Sequence, residues 1–185
     1  MLAPQLTPQG LCLVTGACAK LGITHQPMLD AVAAAASRSL TSFTMQDISI
    51  LTWACAKLNA RCDSLFAQIA TVAPAKLTSG PVSTQSLANV AWAYARSNVA
   101  APQLLDELGA RAFLRVGEFK PFELAMLLWA LARRRRPHAS LFEAAAEHLE
   151  RKIEKLPPRS VSNVAWAYAT ADIRNEQVSL APFFS

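Results

Sequence analysis

The stretches Ser86–Asn98 (SLANVAWAYARSN) and Ser160–Asp172 (SVSNVAWAYATAD) are near-copies of one another, and their reading decides the fold. Two further stretches share the frame, Ile48–Asn59 (ISILTWACAKLN) and Glu123–Arg135 (ELAMLLWALARRR). Their tryptophans, Trp53, Trp92, Trp129 and Trp166, are spaced by 39, 37 and 37 residues. A fifth copy precedes them, Leu11–Gly22 (LCLVTGACAKLG), with Gly16 in the tryptophan position 37 residues before Trp53. Self-similarity at a period of a few tens of residues is the mark of a repeat architecture.

The repeated block has helical spacing. Five residues before the tryptophan position stand Leu11, Ile48, Leu87, Leu124 and Val161, and two before it Val14, Leu51, Val90, Leu127 and Val164. One and three residues after it, every copy has alanine, from Ala17 and Ala19 to Ala167 and Ala169. Branched side chains fill a seam on one helix face, and the alanines let a neighbouring helix come close. This is helix A of each unit. Turn-forming stretches such as Leu21–Pro27 and Ser97–Pro102 follow it, then a second amphipathic stretch, helix B. Thr44, Ser83, Pro121 and Pro158 are the expected starts of the later A helices, the two prolines suiting a first helical position. The extra residues of the longest spacing fall in the loop Thr78–Val82.

The expected architecture is therefore all-α: a right-handed α-solenoid of helix–turn–helix repeats of about 37–39 residues. Its units run over residues 8–43, 44–82, 83–120, 121–157 and 158–185. The last unit holds helix A and a short tail ending PFFS, so we expect either a longer solenoid or a cap of another kind.

Composition agrees with this reading. Hydrophobic residues make up 52% of the 185, with alanine dominant and only 6 glycines, which favours helix. Charged residues are 17%, low for an independent domain, so surface left over by the fold is expected to meet a partner. The net charge of +5 (18 Lys+Arg against 13 Asp+Glu) suits a phosphate-rich partner, with ordinary solubility as the plainer alternative. Cys12, Cys18, Cys55 and Cys62 form no CxxC pair and read as small packed thiols of a reducing compartment. No apolar run is long enough to span a membrane, and no targeting segment is visible. His25, His138 and His148 are scattered, with no nucleophile–base pattern or phosphate-cradling glycine loop, so neither an enzyme nor a cofactor is expected.

A repeat protein that reads an extended polymer does so with side chains at equivalent positions of successive units. Seven residues before the tryptophan position stand Gln9, Gln46, Gln85, Phe122 and Arg159; three before it, Leu13, Ile50, Asn89, Met126 and Asn163. Four after it stand Lys20, Lys57, Arg96, Arg133 and Thr170. These positions share one side of helix A. The carboxamides of Gln46, Gln85, Asn89 and Asn163 offer both a donor and an acceptor to base edges. Lys20, Lys57, Arg96 and Arg133 form a ladder of cations for phosphates, or else offset the helix dipole at each C-terminus. Arg134, Arg135 and Arg136 continue the densest positive run into the A–B turn, with a weaker basic set of Arg151, Lys152, Lys155 and Arg159 at the next turn. The tryptophans, flanked by alanine, are expected between helices rather than stacked on bases.

The period and the block [LV]-[AS]-N-V-x-W-A-x-A resemble the octotricopeptide repeat family and the related 37-residue heptatricopeptide repeats, across almost the whole chain. The strongest copies surround Trp92 and Trp166; of the Pro-rich opening of helix B only Pro27 and Pro102 stand near the right place. Members of these families are organelle RNA-binding proteins of algae and other protists, often beside a RAP domain. The resemblance implies binding of single-stranded RNA in a mitochondrion or chloroplast, in RNA processing, stability, translation or ribosome assembly. The alternatives are a structural subunit of an organellar ribosome, touching rRNA or ribosomal proteins, and a protein-binding scaffold.

Overall fold

The computed structural model describes residues 6–152 and 156–171, and among these there are nine α-helices and no strand. The A helices are α1 (Pro8–Leu21), α3 (Met45–Lys57), α5 (Thr84–Arg96), α7 (Pro121–Arg133) and α9 (Pro158–Ala171). The B helices are α2 (Gln26–Arg38), α4 (Asp63–Ser79), α6 (Pro102–Phe113) and α8 (Ala139–Glu150). Lys155 and the tail ending PFFS lie outside the described residues. No described helix is long and apolar enough to cross a membrane.

The helix starts have local causes. Thr44 and Ser83 accept from the backbone N–H three residues on, and Asp47 completes a capping box with Thr44. Pro121 and Pro158 begin α7 and α9. His25 and His138 cap α2 and α8, each Nδ1 accepting a backbone N–H at 3.1 and 3.2 Å, so both imidazoles have structural work.

Three of the A helices end alike. The residue six after the tryptophan position takes the left-handed conformation: Gly22 at φ 70°, Asn59 at 51° and Arg135 at 53°. The next residue's N–H then bonds back to a carbonyl in the last turn: Ile23 to Cys18, Ala60 to Cys55 and Arg136 to Leu131, each at 2.9 Å. This is a Schellman closure. In the third unit Ser97 is extended instead and the helix closes by Ser97 N–H on Ala93.

Each A helix packs on the A helix of the next unit, α1 on α3, α3 on α5, α5 on α7 and α7 on α9. The B helices pack likewise, α2 on α4, α4 on α6 and α6 on α8, giving two parallel layers with a core between. The seam is that of the periodic residues: Ile48, Leu51, Leu87, Val90, Leu124 and Leu127 are all fully buried. The inner alanines Ala54, Ala93, Ala130 and Ala167 have no exposed surface, whereas Ala17 and Ala169 of the outer units are exposed. Cys12, Cys55 and Cys62 are buried as free thiols. Burial beside Asp47 pushes the Cys12 thiol up to about 12, so it stays protonated and donates to the Asp47 carbonyl oxygen.

Two tyrosines tie the layers across units. The Tyr94 hydroxyl donates to the Phe66 carbonyl of α4 at 2.7 Å, and Tyr168 to the Phe142 carbonyl of α8 at 2.6 Å. Each ring also packs on that phenylalanine, with centroids 5.1 and 5.2 Å apart. Replacing Tyr94 by Phe keeps the ring and removes the bond, and chemical denaturation is expected to show a loss of about 1 kcal/mol. An unchanged midpoint would mean that the hydroxyl adds nothing to the packing.

Candidate functional site

A groove of about 1030 Å³ runs across α1, α3, α5 and α7 on the A-helix layer. Its lining is the set of repeat positions singled out from the sequence: Gln9, Gln46, Gln85 and Phe122 at one, Leu13, Ile50, Asn89 and Met126 at the other. Helical spacing aligns these positions within a unit, and stacking aligns them between units. The floor is more apolar than expected. Leu13 is 67% exposed and Phe122 45% exposed, and Lys20 is the one cation among the described lining residues. Its described lining thus balances one cation against one carboxylate, Asp47, and Lys57, Arg96 and Arg133 are not part of it.

The carboxamides differ in availability. Gln46 Oε1 accepts from the Ser86 hydroxyl at 3.1 Å, which leaves its NH₂ free to donate. Gln9, Gln85, Asn89 and Asn163 have no side-chain hydrogen bond among the described residues, and Asn89 and Asn163 are half-buried. Arg159, exposed in the first turn of α9, stands far from this groove in the repeat order.

The cation ladder has a structural task that the spacing only hinted at. Lys57, Arg96 and Arg133 lie over the tryptophan four residues earlier in their own helix, at 4.9, 5.1 and 5.4 Å from the Trp53, Trp92 and Trp129 rings. Arg96 Nε also donates to the Ala56 carbonyl at 3.4 Å, and Arg133 Nε to the Ala95 carbonyl at 3.0 Å. Each arginine therefore caps the C-terminus of the preceding A helix. A second Arg96 nitrogen reaches Asn59 Oδ1 at 3.1 Å. Lys20 follows a glycine, so it has no indole beneath it. The tryptophans are half-buried in three units, and Trp166 is 42% exposed. Trp53, Trp92 and Trp129 pack against the buried core, Trp53 also lines the groove, and Trp129 meets Trp166 between α7 and α9 with ring centroids 6.1 Å apart.

The run Arg133 to Arg136 does not act as one patch. Arg134 donates to the Val99 carbonyl at 2.8 Å. Arg136 pairs with Asp106 on α6. Arg135, turned outward by its left-handed backbone, has no partner among the described residues. With Arg96, Arg133 and Arg134 it lines a second, open pocket of about 380 Å³ at the ends of α5, α7 and α9, with Ser97, Asn98, Trp166 and Thr170 beside them. No carboxylate is among its described lining residues. Four arginines line it with no described carboxylate beside them, although Arg96, Arg133 and Arg134 each already donate to a backbone carbonyl. Its detection from sequence needed the register between units, since Arg96 lies far from the other three along the chain. At the following turn, Arg151 pairs with Glu147 and Lys152 lies 3.1 Å from His148, so these cations are already engaged.

The fold and this site define a helical-repeat protein with a groove along its A-helix layer. Residues 1–181 match the family model described as RNA-editing substrate-binding complex 6 protein, and the chain belongs to that family. The family is RNA-associated and helical, and its description lends no support to a ribosomal subunit. No curated protein matches the chain.

A bulky residue with positive φ is strained by roughly 1–2 kcal/mol, and at Arg135 the Schellman closure of α7 imposes it. Arg135→Gly is expected to raise stability in urea by roughly 0.5–1 kcal/mol, after the extra freedom of glycine in the unfolded chain is counted. A loss of stability would show that the Arg135 side chain holds the turn.

Proposed function

We propose that this chain binds single-stranded RNA along its A-helix layer, as a member of an RNA-editing substrate-binding assembly in a mitochondrion or chloroplast. Bases enter the groove, where exposed carboxamides and apolar side chains recur at the repeat spacing. Phosphates meet Lys20 and the arginine pocket at the ends of α5, α7 and α9. The observation that carries the reading is this pocket, in which Arg96, Arg133, Arg134 and Arg135 converge without a carboxylate. Arg135 in particular is exposed and carries no internal contact among the described residues. The family description supports the same class of ligand, and the likeness to octotricopeptide and heptatricopeptide repeats implies the organelle.

The chain acts by holding RNA rather than by reacting with it. Apolar and carboxamide surfaces suit unstacked bases, which are read by stacking and by hydrogen bonds to their edges. The apolar floor of Leu13, Ile50, Phe122 and Met126 also favours a second reading, a protein segment seated in the groove.

The test is a salt titration of binding to short single-stranded RNAs. Affinity is expected to fall with salt, and Arg135→Ala to weaken every sequence alike while reducing the slope of log K against log salt by about 0.7. A wild-type protein that binds no RNA at low salt would overturn the reading in favour of a protein ligand.

A further inference from the structure

The repeat breaks its own rule at Gly16. The other four units place an indole there, and in α7 and α9 two such indoles come to 6.1 Å between centroids. At that one joint the repeat brings two rings of this position into tilted contact. The first unit supplies no ring, so the side of Trp53 that faces α1 borders the groove together with Gly16, Ala17 and Lys20. Trp53 is covered by Lys57 at 4.9 Å, which leaves the cation of the first unit, Lys20, without an aromatic partner. A Cβ added to Gly16 would meet only Ile50 Cγ2, at 3.4 Å, an ordinary contact. Gly16 is therefore not required by backbone crowding, and no unusual φ demands it.

We infer that the place beside Trp53, above Gly16, is a slot for one nucleobase of the bound RNA, which takes the position an indole takes in the other units. The inference rests on the RNA-binding reading and gives it a fixed register. The base would stack on Trp53, as bases do on exposed aromatic rings. Lys20 stands one helical turn after Gly16 and faces its phosphate. The free NH₂ of Gln46 and the carboxamide of Gln9 line the same groove and offer polar partners for its edge. The neighbouring carboxylate, Asp47, is fixed in the cap by the Thr44 hydroxyl and backbone N–H on Oδ2, at 2.6 and 2.9 Å, and keeps its charge in the groove beside that of Lys20. Charge decides between a base and an aromatic side chain of a protein: the cation without a ring partner on this column calls for an anion attached to the ring, which a nucleotide carries.

Gly16→Trp tests the slot, because it restores the repeat consensus while filling the space. The full chain carrying it is expected to keep its helicity and to bind a short single-stranded RNA about tenfold more weakly. The salt slope should stay as in the wild type, because the phosphate contacts remain. Removing single bases from that RNA should reveal one position where the wild type loses about tenfold and Gly16→Trp loses nothing more. Gly16→Ala, which makes only an ordinary contact, should bind as the wild type does and keeps the test valid if the indole does not fold in. In that event the single-base series on Gly16→Ala decides alone: one sensitive base supports the slot, and none overturns it. Unchanged RNA affinity of a folded Gly16→Trp would overturn the slot while leaving RNA binding intact. Loss of a protein partner by this variant, with RNA affinity unchanged, would assign the place to an aromatic side chain instead. Absence of wild-type RNA binding at low salt would overturn both the slot and the reading beneath it.

Discussion

How closely one A helix can approach the next is the constraint on which the rest of the molecule depends. Alanine at two positions of each helix sets that distance, and in the inner units the first of the two is entirely buried and the second nearly so. A larger side chain there would wedge the layer apart, because packed interiors accept little added volume. The close approach has a second effect. It brings the residue four after the tryptophan within reach of the carbonyls that end the preceding helix, so Arg96 and Arg133 bridge units as well as covering indoles. Stacking and surface charge are therefore set by the same spacing.

Much of the fold was legible because a 37-residue period repeats each physical cause five times. The alanine columns, the branched seam and the starts at Thr44, Ser83, Pro121 and Pro158 all needed only local chemistry. The site was legible in position but not in character. Equivalent residues do line one groove, yet whether it is charged depends on where each long side chain turns, and tertiary partners decide that. The tetra-arginine run is the clearest case. The left-handed backbone at Arg135 sends its neighbours in different directions, one to Val99, one to Asp106 and one outward. Nothing in four consecutive arginines announces that division, although their position relative to Gly22 and Asn59 does carry the signal. Glu123 was missed as well. It is buried and accepts from the Thr84 hydroxyl at 2.8 Å across units, a link visible only once two helices are side by side.

The cations of this layer do two things that need not compete. A guanidinium lying on an indole and donating one N–H to a carbonyl still presents other N–H groups, since it carries five. Structural fixation then orders the side chain before any anion arrives, which lowers the entropy lost on binding. Arg135 differs from Arg96 and Arg133 in this respect, being free of internal contacts among the described residues and held only by its backbone.

The two tyrosine ties divide the stack in a way that the repeat itself does not. Tyr94 joins the third unit to the second and Tyr168 the fifth to the fourth, while Cys55 and Leu131 hold the equivalent place at the other joints and have no hydroxyl to offer. In a nearly one-dimensional chain, cooperativity is set by the coupling at each interface. The third and fourth units lack the tyrosine tie but are joined by Thr84 to Glu123, Arg133 to Ala95, Arg134 to Val99 and Arg136 to Asp106, so the joints differ in the kind of bond that couples them. Bending to follow a curved ligand would then concentrate at the joint around Cys55, which among the described residues is crossed by neither a tyrosine tie nor an arginine bridge.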